Sequence, residues 1–461
     1  MKKLADIRNF YFIGIGGIGM SALARYFRQS GKQVAGYDRT ATHLTRQLES
    51  EGIDIHYTDN IEEVSTTFLS DKDTLVIFTP AVPADHSELN YFRNNGFEML
   101  KRSQVLGMIS KNFKTVAVSG THGKTTVSTM ISHVMWSAPA GCNAFLGGIS
   151  KNFNSNLAVN PASNWVVTEA DEYDRSFLQL FPHAAVITAM DPDHLDIYGT
   201  AEAMNEAFGQ FAGQIDREGI ALIKYGLPPG KASLPDRTFT YSLNGNSDFR
   251  AENIRLENGR YHFDMKGPDI RIADLSIEHP GLVNVENAVA AAAITWLVGI
   301  EPEHIRKSLY SFSGIQRRFD YRIKTDQLVY IDDYAHHPGE IEATLRSVRE
   351  LYPQRNVTGV FQPHLYTRTR DLADGFAESL DRLDRLILLD IYPARELPIE
   401  GVTSELIFNK VGIKDRRMCS KEELPSLIKD LDLDVLITLG AGDIDKLVEP
   451  ITEILKKRIE A

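Results

Sequence analysis

Short apolar runs alternate with amphipathic stretches along the first hundred residues. Phe10-Tyr11-Phe12-Ile13 reads as a buried strand and Met20 to Ser30 as a helix, with further strands at Val34 to Asp38 and Asp73 to Thr79. Strands separated by helices predict a parallel sheet with crossover connections. The alternation restarts at Thr115-Val116-Ala117-Val118 and runs through Asn164 to Thr168 and Ala184 to Thr188. Hairpin-like stretches such as Arg260 to Asp264 and a helix after Asn287 follow. A third alternation opens near Phe319, with strands at Leu328–Ile331, Val357–Phe361, Arg385–Leu389 and Val435–Leu439. The pattern predicts an α/β protein of three domains: 1–110, 111–318 and 319–461.

Length supports that division, since 461 residues at about 150 per domain make three. The formal charge is −12, from 50 basic and 62 acidic residues. That balance argues against a broad duplex-nucleic-acid or anionic-membrane surface, while leaving room for a local phosphate pocket. Two cysteines, Cys142 and Cys419, make neither a disulfide framework nor a four-Cys metal site. The N-terminus leads into a strand, not a signal-peptide core, and the longest apolar run, about Ala288 to Ile300, is too short to span a bilayer. The expectation is a cytoplasmic protein without membrane insertion.

Two glycine-rich loops carry the first chemistry. Gly14-Ile15-Gly16-Gly17-Ile18-Gly19 follows a strand and precedes a helix, where glycine lets the backbone approach a pyrophosphate and the helix end supplies N–H donors. Asp38, 19 residues after Gly19, is placed to meet ribose hydroxyls. A dinucleotide or any other pyrophosphate-bearing nucleotide fits this physics. Ser119-Gly120-Thr121-His122-Gly123-Lys124-Thr125-Thr126 has the arrangement of a phosphate loop, with Lys124 reaching phosphate oxygens and Thr125 a Mg²⁺ ion. Val118 occupies the place of that motif's first glycine.

Acids and histidines follow the later strands. Glu169-Ala170-Asp171-Glu172-Tyr173-Asp174 lies where a Mg²⁺ ligand belongs, and Glu169 is favoured as the first residue after its strand. His194, in Asp191-Pro192-Asp193-His194-Leu195-Asp196, is a second candidate ligand or phosphate-positioning group. Asp332-Asp333-Tyr334-Ala335-His336-His337-Pro338 and Phe361-Gln362-Pro363-His364-Leu365-Tyr366-Thr367-Arg368-Thr369-Arg370 both fall at the presumed carboxyl edge of a parallel sheet. Zinc is the weaker reading of the histidines, because no Glu or His at helical spacing completes a site. Binding of carboxylate and phosphate suits the His and Arg better. Gln316-Arg317-Arg318-Phe319 can reach a phosphate from a domain junction.

In this order the motifs resemble those of the ATP-dependent Mur ligases, which build peptidoglycan precursors. The likeness rests on the glycine loop, GTHGKTT, EADEYD, DPDHLD, Asn284-x-x-Asn287-Ala288, Arg317-Arg318-Phe319 and DDYAHHP, and spans nearly the whole chain. Within the family, GTHGKTT, DDYAHHP and FQPHLYTRTR look like the branch that joins L-alanine to the lactyl carboxylate of UDP-N-acetylmuramate. The alternative branch attaches a whole murein tripeptide to the same sugar nucleotide. It shares the earlier motifs, but the FQPHLYTRT run is not expected in it.

The resemblance implies a Rossmann-like first domain binding the UDP-sugar through Gly14, Gly16, Gly17, Gly19 and Asp38. It implies a central P-loop domain binding ATP through Gly120, Thr121, His122, Gly123, Lys124, Thr125, Thr126 and Asn287. A Rossmann-like third domain would contact amino acid and ATP, with Arg318 at the γ-phosphate, Asp332 near the nucleotide, and His337, His364 and Arg368 lining the carboxylate and amino-acid pocket. Thr125, Glu169 and His194 would hold Mg²⁺ at two sites. Lys124, Arg318, His194 and His337 are the implied catalytic residues, the two histidines as candidates for the base. Val283 stands before Asn284 where the family usually has histidine. The implied oligomeric state is monomer or homodimer. Two readings outside the family are a nicotinamide-dependent oxidoreductase, which leaves the Lys124 loop without a task, and a nucleotide-binding protein that makes no product.

Overall fold

The computed structural model describes residues 3–191, 195–228, 234–394 and 396–460. Its strands form three sheets, and by internal contacts the chain divides into two compact units. The first comprises Met1–Arg255, His262–Ile277 and Val285–Ser313; the second comprises Leu256–Tyr261, Glu278–Asn284 and Gly314–Ala461.

The first unit begins with β1 (Asn9–Ile13), β2 (Gln33–Tyr37), β3 (Asp54–His56), β4 (Thr74–Phe78) and β5 (Glu98–Lys101), in the order β3-β2-β1-β4-β5. All four pairings are parallel. The winding reverses between β1 and β4, and the crevice beyond the carboxyl ends of those strands is where such sheets bind ligands. Every residue of β1 is buried. Phe10 and Phe12 face the helix Ile18–Gln29, and the Phe10 and Phe27 rings stack with centroids 3.7 Å apart. Tyr11 and Ile13 face the other way, into a layer containing Val76, Leu89 and Phe92. Two covered faces explain why this strand is a continuous apolar run, not an alternating one.

The unit's second sheet has ten strands, β6 (Lys114–Ser119), β7 (Asn143–Ser150), β8 (Ser155–Ala158), β9 (Trp165–Ala170), β10 (Ala184–Ile187), β11 (Ile220–Lys224), β12 (Arg237–Ser242), β13 (Phe249–Glu257), β14 (Arg260–Lys266) and β15 (Arg271–Ile277). The order is β15-β14-β13-β12-β11-β10-β6-β9-β7-β8. β6 pairs in parallel with both β10 and β9, so loops leaving these three strands converge at one edge.

The second unit holds β16 (Asp320–Lys324), β17 (Val329–Asp333), β18 (Val357–Phe361), β19 (Arg385–Leu388), β20 (Asp415–Met418) and β21 (Val435–Leu439). The order is β16-β17-β21-β18-β19-β20, parallel except for β16 against β17. Ile331, Phe361 and Leu388 enter one core, and Tyr330, Val360 and Ile387 the other, as a two-residue period requires.

Three local expectations change. Glu169 is the penultimate residue within β9, not the first after it. Asp38 lies one residue beyond β2. β20, Asp-Arg-Arg-Met, is an edge strand whose charged sequence carries no apolar signal.

Candidate functional site

The first glycine loop sits at the switch point of the five-stranded sheet. Gly14 has φ +86° and donates its N–H to Tyr37 O at 2.8 Å. A Cβ there would lie 2.6 Å from Thr79 Cγ2, so both conformation and space require glycine. Gly16 N–H donates to Asp38 Oδ2 at 2.8 Å, and Thr40 N–H donates to Asp38 Oδ1 at 3.1 Å. The Asp38 carboxylate thus braces the loop from β2. Gly17 is the N-cap of the helix Ile18–Gln29, and no side chain caps the helix's first N–H groups from that position. A Cβ on Gly19 would stand 2.7 Å from Arg102 Nη1, placing that guanidinium beside the helix start.

At the carboxyl ends of β4 and β5 is a pocket of about 290 Å³ lined by Phe78, Met99, Lys101, Gln104, Asp174 and Arg175, among others. Lys101 Nζ pairs with Asp174 Oδ2 at 2.7 Å. Asp174 and Arg175 are consecutive L-residues at φ 53° and 54°, a tight turn placed against the pocket. Two cations, one acid and the apolar Phe78 and Met99 thus line a space of sugar size.

The second glycine loop closes over the end of β6. Gly120 has φ +133°, and a Cβ there would meet Thr188 Oγ1 at 2.2 Å. Thr188 Oγ1 donates to Ser119 O at 3.1 Å and to His122 O, fixing the loop's path from the end of β10. Gly123, at φ +83°, caps the helix Lys124–Ser137. Asn287 Oδ1 lies 3.1 Å from the place a Gly123 Cβ would take, so the helix Leu282–Leu297 brings Asn287 to the loop.

Carboxylates from β9 surround the lysine. Lys124 Nζ donates to Gly120 O and to Glu172 Oε1, each at 2.8 Å. Burial works against the Lys124 charge, yet Glu172, Asp171 and Glu169 hold its pKa above the usual lysine value. Glu169 is partly buried and accepts from Gly147 N–H at 3.0 Å and Ser128 Oγ at 3.4 Å. Burial raises its pKa while Lys124 and the Thr125 hydroxyl pull it down. Hydroxyl and carboxylate oxygens side by side make a donor set suited to Mg²⁺. His194 lies outside the described residues. Glu172, which the order of the acids along the chain did not single out, is the carboxylate that Lys124 touches.

In the second unit the site is an arginine turn held by an acid. Arg317 and Phe319 have φ of 62° and 45°, so Arg318 is presented between two left-handed residues. Phe319 N–H donates to Asp333 Oδ2 at 2.8 Å and Ala335 N–H to Asp333 Oδ1 at 2.7 Å. Burial pushes Asp333 up to about 6, against the pull of Arg318. Both guanidinium groups lie 5.2 Å from the centre of the Tyr334 ring. Asp332 is buried and engaged by Thr438 Oγ1 at 2.7 Å and Arg317 Nε at 3.3 Å. Its neighbour Asp333 therefore organises the turn, while Asp332 anchors Arg317.

The histidines divide. His337 is exposed and opens the helix Pro338–Leu351, its N–H donating to Glu340 Oε2 at 3.2 Å. His336 is the histidine that meets His364, with ring centres 5.8 Å apart, and His364 stacks on Tyr392 at 5.8 Å. Burial lowers the His336 pKa, Glu340 opposes that shift and the Arg368 charge reinforces it. The cluster is thus His336, His364 and Arg368, with His337 beside it along the chain. Adjacent histidines cannot be ranked by spacing alone; the register of the helix start decides which one turns inward. Among the described residues, no group of three or more His, Cys, Asp or Glu side chains forms a metal site, and no helix is long and apolar enough to cross a membrane.

Known proteins resemble the chain over its length. Residues 9–114 match the Mur ligase family catalytic domain, 118–295 the Mur ligase middle domain, and 317–442 the Mur ligase glutamate ligase domain. A UDP-N-acetylmuramate–L-alanine ligase of Parabacteroides distasonis is 54% identical over 450 residues, covering 97% of each chain. The crystal structure of a UDP-N-acetylmuramate-alanine ligase from Thermotoga maritima superposes with a TM-score of 0.84 at 26% identity, covering 98% of this chain and 99% of that one. A murein peptide ligase from Psychrobacter arcticus shares the fold, with a TM-score of 0.71 at 21% identity over 97% and 98% of the two chains.

Proposed function

Because this chain belongs to the Mur ligase family, we propose that it joins L-alanine to the lactyl carboxylate of UDP-N-acetylmuramate, with ATP converted to ADP and phosphate. It is an ATP-dependent carbon–nitrogen ligase of peptidoglycan precursor synthesis, and we place it in the bacterial cytoplasm. The observation that carries the reading is the Lys124 loop, closed over β6 with its lysine already inside, on a chain whose first sheet offers a separate glycine loop. A nicotinamide enzyme would use only the Gly14–Gly19 loop and leave the Lys124 loop without a task.

The UDP-sugar pyrophosphate would lie on the helix start at Gly17, with Gly14 and Gly16 admitting it closely. The 290 Å³ pocket beside Lys101 and Arg175 suits the sugar. ATP phosphates would occupy the Gly120–Thr126 loop with Asn287 at its rim. A Mg²⁺ ion held by Thr125 and Glu169 would screen phosphate charge.

The lactyl carboxylate oxygen attacks the γ-phosphorus as the bond to the β-bridging oxygen breaks, releasing ADP and leaving an acyl phosphate. Two anions meet in that step, so Lys124 and Arg318 are assigned to neutralise the transferring group. The alanine amine, once deprotonated, attacks the acyl carbon, and inorganic phosphate leaves from the tetrahedral intermediate. His336, His364 and Arg368 would receive the alanine carboxylate, and a neighbouring histidine would take the amine proton.

The test is ADP release from ATP–Mg²⁺ and UDP-N-acetylmuramate with L-alanine, with the murein tripeptide, or with neither. Alanine-dependent release is expected. Release only with tripeptide would transfer the chain to the other branch, and silence with both would overturn the ligase reading.

A further inference from the structure

Glu172 has an unusual place for a carboxylate beside a phosphate loop. Its side chain is 1% exposed, and one oxygen contacts Lys124 Nζ at 2.8 Å. The other, Oε2, is buried and has no hydrogen-bond partner among the described residues. Its backbone is pinned: Glu172 O accepts from Tyr198 OH at 2.6 Å and from Arg175 N–H at 3.0 Å. The other acids nearby are engaged elsewhere. Glu169 accepts from Gly147 N–H, and Asp171 pairs with Arg102 at 3.5 Å and accepts from Tyr173 N–H at 3.1 Å.

Lys124 has two visible partners, Gly120 O and Glu172. A phosphate in the loop must draw the ammonium to its own oxygens. Gly120 O belongs to the loop itself, so the contact that has to weaken is the one with Glu172. The carboxylate cannot follow the lysine or turn to water, because its backbone is held and its side chain is enclosed. It then sits unpaired near the phosphates, an arrangement that costs free energy in the nucleotide-bound state. The same charge recaptures Lys124 when the nucleotide leaves.

We propose that Glu172 is a positioning residue that competes with nucleotide phosphates for Lys124, loosening the hold on the nucleoside diphosphate product and speeding its departure. This rests on the reading of the Lys124 loop as the nucleotide site, and adds to it a residue tuned for release.

The test is calorimetric titration of the full-length protein with ADP, once in EDTA and once with Mg²⁺, for wild type, Glu172→Gln and Glu172→Asp. Displacement of a fluorescent ADP analogue gives the dissociation rate. Glu172→Gln keeps the shape and removes the charge, so ADP should bind about tenfold tighter, with a matching fall in the dissociation rate. Glu172→Asp withdraws the carboxylate from Lys124 and should fall between the two; it also supplies the answer if the Gln variant does not fold. A purely structural role for Glu172 would weaken binding or leave it unchanged, and either result overturns the proposal. So does weakening seen only with Mg²⁺, which would make Glu172 a cation ligand. Failure of wild-type protein to bind ADP at all would instead remove the nucleotide-site reading beneath it.

Discussion

The Asp333 carboxylate accepts the Phe319 backbone N–H at 2.8 Å, tying the end of β17 to the turn that presents Arg318. The same carboxylate accepts Ala335 N–H, so one buried acid sets both the arginine turn and the start of the histidine loop. Left-handed φ at Arg317 and Phe319 persists because these bonds hold it. Asp333→Ala leaves two N–H groups without their acceptor, at about 1–3 kcal/mol each where they stay buried. We expect a lower unfolding temperature and a kcat reduced about 100-fold by misplacement of Arg318, with UDP-sugar affinity unchanged. Thermal unfolding and steady-state kinetics together check this. Loss of stability with full kcat would remove Asp333 from the reaction.

The first glycine loop is testable on its own. A Cβ on Gly16 would lie 2.7 Å from Thr45 Cγ2 and 2.8 Å from Asp38 Oδ2, forcing apart the loop and its brace. Gly16→Ala should weaken UDP-N-acetylmuramate binding by about tenfold or more, as expected when a backbone no longer approaches its pyrophosphate. ADP affinity should stay as in wild type. Equal loss of both ligands would mean that the substitution damages the unit as a whole.

Gly147 supports the other site at a distance in sequence. A Cβ there would meet Glu169 Oε2 at 2.2 Å, and the Gly147 N–H donates to the same carboxylate. Gly147→Ala should displace Glu169 and raise the Mg²⁺ concentration for half-maximal activity about tenfold. ADP binding in EDTA should not change. An unaltered Mg²⁺ dependence would exclude Glu169 as the cation's ligand.

Glu88 is buried on the second face of the first sheet, accepting from Tyr11 OH at 2.7 Å and lying 3.5 Å from His56 Nε2. Burial raises its pKa from 4.5 to about 7. A raised carboxyl pKa means that the folded state binds the extra proton between those values. The stability tied to this group is therefore complete below pH 4.5 and lost as pH rises through 7. Glu88→Gln keeps an acceptor for Tyr11 and never ionises. It should flatten the pH–stability profile and gain about 1–3 kcal/mol over wild type at pH 8, with little gain at pH 5. Parallel denaturant titrations at the two pH values measure this. A gain of equal size at both would show that the carboxyl does not titrate in that range.

Much of this site is legible in the linear chain because its parts are local. Gly14 to Gly19 and Gly120 to Thr126 each join a strand to a helix, and the backbone demands of such a turn fall on neighbouring residues. The strands that read most clearly, such as Val357–Phe361 and Val435–Leu439, are buried on both faces and so are apolar throughout. β20 was not legible, since an edge strand with charged side chains carries no such pattern.

The amino-acid order alone determined the α/β class, the two glycine loops, the arginine pair and the family. Those features depend on backbone geometry and residue type over a few positions. Tertiary structure decided which neighbour in each cluster does the work: Glu172 on Lys124, Asp333 under the Arg318 turn, and His336 beside His364. Adjacent acids and adjacent histidines have the same chemistry in the chain. They separate only when a strand end or helix start turns one toward its partner and leaves the next facing another way.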